Sequence, residues 1–206
     1  MLKIWGRTTS SNVMKVLWCA DELGLAYERV DIGGQFGGNR EPAYLALNPN
    51  GLVPTIEDDG LVLWESNTIV RYLAAKQRAE KLYPSAPAAR ADVERWMDWQ
   101  LSVVNSPMTT MFLGYVRTPA DKRDPAALES ARRTAAAAWT ILDRHLAGRD
   151  FIAGRDFTVG DIALGVQAWR WFNLPIERPD LPHLRAWFER LLARPVYKKR
   201  IALPMA

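Results

Sequence analysis

Two adjacent residues, Val53 and Pro54, narrow the folds open to this chain more than any other feature of its sequence. Proline has no N–H to give to a sheet ladder, so a proline heading an apolar run that reads as an interior strand demands a special backbone geometry. A cis Val53-Pro54 bond would turn the N–H and C=O of Val53 outward, free to pair with an extended peptide. The run continues to Glu57, Asp58-Asp59-Gly60 reads as a turn, and Leu61 to Trp64 as a second short strand, which together make a hairpin. Glu65-Ser66-Asn67 then precedes a helical pattern with Ile69, Val70, Leu73 and Ala74 on one face, ending near Lys76, so Ser66 falls at a helix N-terminus. Free N–H groups, a small hydroxyl and an adjacent carboxylate can together hold a ligand bearing both a carboxylate and an amine. An amino-acid backbone is such a ligand.

Upstream, Leu2 to Trp5 alternates as a first strand, Gly6 to Asn12 is a polar turn, and Val13, Val16, Leu17 and Ala20 mark a helix. Tyr27 to Ile32 alternates as a second strand and gives a βαβ unit with a parallel pair. Gly33 to Asn39 is glycine-rich but lacks phosphate-loop spacing and a GK[ST] ending, so it reads as a flexible loop. With a short helix at Ala43 to Leu47, the first 78 residues are expected to form a βαβαββα domain.

Tyr83-Pro84-Ser85-Ala86-Pro87 is the linker signal, and residues 88–206 read as all-helical. A helix is expected from Arg90 to Tyr115, kinked or broken by Pro107, and a second from Ala126 to Leu146. Thr158-Val159-Gly160-Asp161 is a capping box and so a folding element. Two further helices run through Leu184 to Leu192 and Val196 to Ile201.

The net charge of +4 carries no basic stripe interleaved with aromatics, so nucleic acid is not an expected partner. Neither a signal peptide nor a membrane span is expected from the apolar runs. A single cysteine excludes an internal disulfide framework and fits a reducing cytoplasm. Cys19 lies two turns inside the first helix with no second Cys at CxxC spacing, which marks a buried, inert thiol. His145 and His183 show no metal-ligand spacing, and no metal is expected.

The NPNGLVPTI and WESNTIVRYL stretches, Asn48 to Ile56 and Trp64 to Leu73, resemble the cytosolic glutathione S-transferase superfamily, and the resemblance extends over the whole chain. It is that of a bacterial theta-like or Nu-like member with a Ser-type first turn. The resemblance implies a thioredoxin-like domain (1–78) that binds glutathione and an all-helical domain (88–206) that supplies most of an electrophile pocket. It also implies a cytoplasmic, homodimeric detoxification enzyme whose glutathione thiolate attacks a small apolar electrophile. Val53, Pro54, Glu65 and Ser66 would hold the peptide. Leu52 stands where many relatives carry Lys or Gln, so the glycyl end falls to another donor, with Gln35, Asn39 and Arg40 as candidates.

A thiolate is favoured by hydrogen bonds to its charged form and by a helix N-terminus. The first turn offers Ser10, Ser11 and Asn12. Ser11 stands four residues before Lys15, as in theta- and delta-like members, and is expected to be the main donor; Ser10 and Asn12 match the Nu-like pattern. The electrophile is expected at Met111, Phe112, Tyr115 and Trp169, with Arg117 the charged group there. Trp96, Asp98 and Trp99 are where a dimer interface would lie. Two alternatives share the fold: a glutathione-dependent peroxide or disulfide reductase, and a non-catalytic binding or regulatory protein.

Overall fold

The computed structural model describes residues 1–205, and the chain divides into two compact units between Tyr83 and Pro84. The first unit runs β1 (Leu2–Trp5), α1 (Ser11–Glu22), β2 (Tyr27–Val30), α2 (Pro42–Leu47), β3 (Thr55–Asp58), β4 (Leu61–Trp64) and α3 (Ser66–Lys76). Its sheet has the order β2-β1-β3-β4, with β1 parallel to β2 and antiparallel to β3. β2 stops two residues short of the expected Ile32, and the glycine-rich stretch holds a 3-10 turn at Gly34–Phe36 closed by Gly33 N–H to Gly37 C=O.

The core of this unit follows from the apolar spacing. Val13, Val16, Leu17 and Cys19 of α1 and Ile69, Val70 and Leu73 of α3 are all buried, and the two helices pack together. Gly6 is what lets the elements close. Its φ is +148°, and a Cβ there would sit 2.4 Å from a methyl of Val13 and 3.3 Å from Cβ of Val53. Only glycine allows the start of α1 and the Val53 loop to approach this closely.

The second unit is helical: α4 (Pro87–Trp99), α5 (Asn105–Phe112), α6 (Pro125–Leu146), α7 (Val159–Asn173), α8 (Pro182–Ala193) and α9 (Pro195–Arg200). The helix expected to kink or break at Pro107 does not break, and the chain stays helical from Pro87 to Arg117. Its ladder changes register: a π-helical stretch at Gln100–Val104 leads into α5, and Asn105 N–H bonds Gln100 C=O. A proline cannot take an i to i−4 bond, and a wide turn just before it absorbs that loss without ending the helix. A second π-helical stretch, Leu113–Arg117, follows α5.

The capping box forms as read. The Asp161 carboxylate is wholly buried and accepts from Ile152 N–H (3.0 Å), Thr158 N–H (2.8 Å), Thr158 Oγ1 (3.1 Å) and Trp187 Nε1 (2.8 Å). Burial raises its pKa, against the lowering by these four donors. No helix among the described residues is long and apolar enough to cross a membrane.

Candidate functional site

A small open cavity of about 40 Å³ lies where three segments of the first unit meet. Val53, Pro54, Glu65 and Ser66 line it together with Asn12, so the Val-Pro segment, the start of α3 and the first turn meet at this cavity. Asn48, Asn50, Leu52 and Trp64 complete the wall. The asparagines and Trp64 were not singled out in the sequence. Their signal is only that they flank the motifs, in NPNG and WES.

The loop bearing Val53 is fixed from beneath. The Tyr44 hydroxyl of α2 donates to Leu52 C=O (2.6 Å) and lies 2.8 Å from Thr55 Oγ1; since its one proton goes to Leu52, Thr55 donates to it. Asn48 Nδ2 reaches both Leu52 C=O (2.9 Å) and Thr55 Oγ1 (3.2 Å), while its Oδ1 accepts from Asn50 N–H at 3.1 Å. Desolvation of the buried ring raises the Tyr44 pKa, which keeps the phenol protonated as this network needs. Asn39 and Arg40 belong to the same scaffold. Asn39 Nδ2 donates to Gly51 C=O (2.7 Å) and Arg40 to Asn50 C=O (3.2 Å), and neither lines the cavity; nor does Gln35, which is exposed. The Val53-Pro54 bond is cis. Among the described residues neither the N–H nor the C=O of Val53 takes a hydrogen bond.

Glu65 precedes α3 with φ +73° and ψ +107°, a backbone conformation that non-glycine residues rarely hold. Its carbonyl accepts the first helical bond, from Ile69 N–H at 2.9 Å, but its side chain caps nothing. Among the described residues the Glu65 carboxylate has no partner, although it stands beside the first N–H groups of α3. Ser66 is buried at that helix start.

At the first turn, Ser10 is the N-cap of α1 and Ser11 its first residue. The Ser10 hydroxyl makes no cap bond, so capping does not occupy it. Both serines are half-buried and outside the cavity wall, whereas Asn12 is in it and its Oδ1 is buried with no hydrogen-bond partner. Lys15, one turn on, is wholly buried, and its ammonium donates to Asn67 Oδ1 at 3.1 Å. That bond ties α1 to the start of α3. Cys19 is buried within α1, 3.7 Å from Val70 C=O, and burial pushes its thiol pKa far up, so it supplies no nucleophile.

In the helical unit, Met111 and Phe112 are buried, while Tyr115 and Trp169 are half-buried. Trp169 Nε1 donates to Leu203 C=O at 3.0 Å. Among the described residues no group of three or more His, Cys, Asp or Glu gathers to hold a metal.

Residues 1–75 match the glutathione S-transferase N-terminal domain family and residues 125–190 a glutathione S-transferase C-terminal domain family. The chain is 40% identical to glutathione S-transferase GstB of Escherichia coli K12 over the full length of both proteins. It is 31% identical to glutathione S-transferase 3 of Zea mays, over 98% of this chain and 93% of that one. Among solved structures it is similar to the theta class glutathione S-transferase of Xanthomonas axonopodis pv. citri with glutathione bound, at 50% identity and a TM-score of 0.96 over 100% and 99% of the two chains. A four-stranded mixed sheet, a cis proline beside an open helix start and full-length likeness converge, and the chain belongs to the glutathione S-transferase family.

Proposed function

We propose that the cavity holds the peptide of glutathione and that the first turn holds its sulfur as a thiolate, which attacks the electrophilic carbon of a second substrate and expels its leaving group. The observation that carries the reading is the unpartnered, buried amide oxygen of Asn12 in the same cavity as Ser66 and Val53. A buried polar atom left unpaired costs about 1 to 3 kcal/mol, a cost a ligand removes. The γ-glutamyl carboxylate meets the N–H groups and hydroxyl of Ser66, its amine meets the Glu65 carboxylate, and the backbone of Val53 pairs with the cysteinyl residue. The Asn12 Oδ1 can take only a donor, such as a peptide N–H of the ligand, while the Nδ2 of the same amide can donate to the thiolate. We assign that bond to Asn12, supported by Ser11 and Ser10 and by the partial positive charge at the start of α1. Asn39 and Arg40 act through the 50–51 backbone they hold.

Tyr115 and Trp169 offer surface to an apolar electrophile, and the buried Met111 and Phe112 shape it. A two-fold homodimer is supported by apolar side chains left exposed on both units: Leu61, Val62 and Trp64 on the edge strand β4, and Leu101 and Ile141 on the helices. The lone, reduced cysteine fits a cytoplasmic, detoxifying role. Isothermal calorimetry with glutathione tests the reading. Heat of binding is expected, with Ser66→Ala weakening affinity about ten-fold through loss of a charge-assisted hydrogen bond. No heat at ligand concentrations on the order of millimolar would sink it.

A further inference from the structure

The cavity is uneven in what it offers the two ends of a tripeptide. The start of α3 brings its first N–H groups, the Ser66 hydroxyl and the Glu65 carboxylate. The chain leading into Val53 brings Asn48, Asn50 and Leu52. Among the described residues no lysine, arginine or histidine lines the cavity, and Glu65 is its one ionisable side chain. Leu52 is 61% exposed, so its side chain is surface that a ligand can cover rather than core. Its carbonyl accepts from the Tyr44 hydroxyl (2.6 Å) and Asn48 Nδ2 (2.9 Å), and the side chain therefore stands on a fixed backbone.

The polar groups of that stretch are largely spent within the chain. Asn48 Nδ2 bonds Leu52 C=O and Thr55 Oγ1, and Asn50 Nδ2 bonds Asn48 Oδ1 at 3.0 Å. Arg40, the cation that stands against this loop, donates to Asn50 C=O (3.2 Å) and is outside the cavity wall. A peptide held at α3 by its γ-glutamyl end and at Val53 by its cysteinyl residue runs on to Leu52 with its glycyl end. A carboxylate there meets an isobutyl group in place of a cation, and the Glu65 charge in the same wall repels it. Apolar contact costs a carboxylate hydration, whereas a neutral amide or ester keeps its charge balance and gains buried apolar area.

We propose that the cavity recognises the γ-glutamylcysteinyl part of its ligand and binds thiol peptides whose glycyl carboxylate is neutralised, as an amide or an ester, as tightly as glutathione itself, with Leu52 as the specificity-determining residue. The inference rests on the glutathione reading of the preceding section. The thiol chemistry is untouched, because the glycyl end takes no part in it.

The test is calorimetry with two ligands that differ at one group, glutathione and its glycyl monoethyl ester, on the unaltered protein, on Leu52→Lys and on Arg40→Gln. In the unaltered protein the ratio of the ester Kd to the glutathione Kd is expected at about one, since no ion pair is lost on esterification. Leu52→Lys changes an exposed side chain and places an ammonium beside the glycyl end. It should tighten glutathione, leave the ester where it was, and raise the ratio about three-fold, the range of an exposed ion pair. Arg40→Gln should leave the ratio level, because Arg40 acts on both ligands alike through the 50–51 backbone. A ratio of about three or more in the unaltered protein overturns the inference, since an ion pair then holds the carboxylate. So does a ratio that falls in Arg40→Gln, which would name Arg40 as the partner, or one that stays level in Leu52→Lys, which would take the glycyl end elsewhere. Each of these leaves glutathione binding standing. No heat with either ligand would overturn the glutathione reading itself.

Discussion

Two helix starts in this protein use similar residue types in opposite ways. At α7, Thr158 and Asp161 consume one another's polar atoms and those of their neighbours: four donors converge on one carboxylate, and the whole group is buried. At α3, Glu65 and Ser66 offer the same chemistry, a carboxylate and a hydroxyl, but the carboxylate meets nothing among the described residues and the backbone at Glu65 is held at φ +73°. The first start is complete as a fold element. The second is left open, and an open helix N-terminus beside an unpaired carboxylate is what a zwitterionic ligand end requires. Polar residues at a helix start therefore do not announce their role by type; whether their partners are already in the chain decides it.

If that contrast is right, breaking the closed start costs stability before anything else. Asp161→Ala strands four buried donors, each worth about 1 kcal/mol or more, so unfolding free energy should fall by about 4 kcal/mol. Urea denaturation measures it. A loss below about 1 kcal/mol would mean that the capping box is no more than a surface cap, whose typical worth that is.

Much of this difference was readable in the sequence, and the part that was not has a physical reason. The spacing of Val53-Pro54, Glu65-Ser66 and Thr158 to Asp161 located all three features, because each is a local pattern of backbone demand. Which residue of Ser10-Ser11-Asn12 faces the cavity was not readable. Neighbours on a helical turn point about 100° apart, and only tertiary packing around Gly6 and Val13 sets which one is turned inward. Pro107 misled for a similar reason: its local effect on a helix is clear, yet a π-turn elsewhere in the same helix absorbs it.

The open site is probed by Asn12→Ala. Removing a donor aimed at developing or stable negative charge typically costs 100-fold or more in rate, about 3 kcal/mol, so kcat/KM for conjugation should fall by roughly that factor. Stability should stay level or rise, because the buried Oδ1 has no partner to lose. Ser11→Ala in parallel sharpens the assignment: a larger loss there than in Asn12→Ala would move the thiolate bond to the serine. Either result is read from steady-state rates at neutral pH, with thermal unfolding of both variants alongside.

The smallest effect is the most telling for the comparison, because it has opposite signs in stability and function. Glu65 sits at φ +73° and ψ +107°, outside the regions open to residues with a Cβ, and such strain costs about 1 to 3 kcal/mol. Glycine adopts the conformation freely but adds roughly 0.5 to 1 kcal/mol of backbone entropy to the unfolded chain. Glu65→Gly should therefore stabilise the protein by a net amount of about 1 kcal/mol, visible as a higher urea midpoint with an unchanged slope. The same substitution removes the carboxylate assigned to the γ-glutamyl amine, so the Michaelis constant for glutathione should rise about ten-fold. A stabilised variant that binds glutathione poorly means the strain at α3 is maintained for the ligand. A destabilised variant would mean instead that contacts of the Glu65 side chain already offset the strain within the chain, and that the two helix starts differ less than their hydrogen bonds imply.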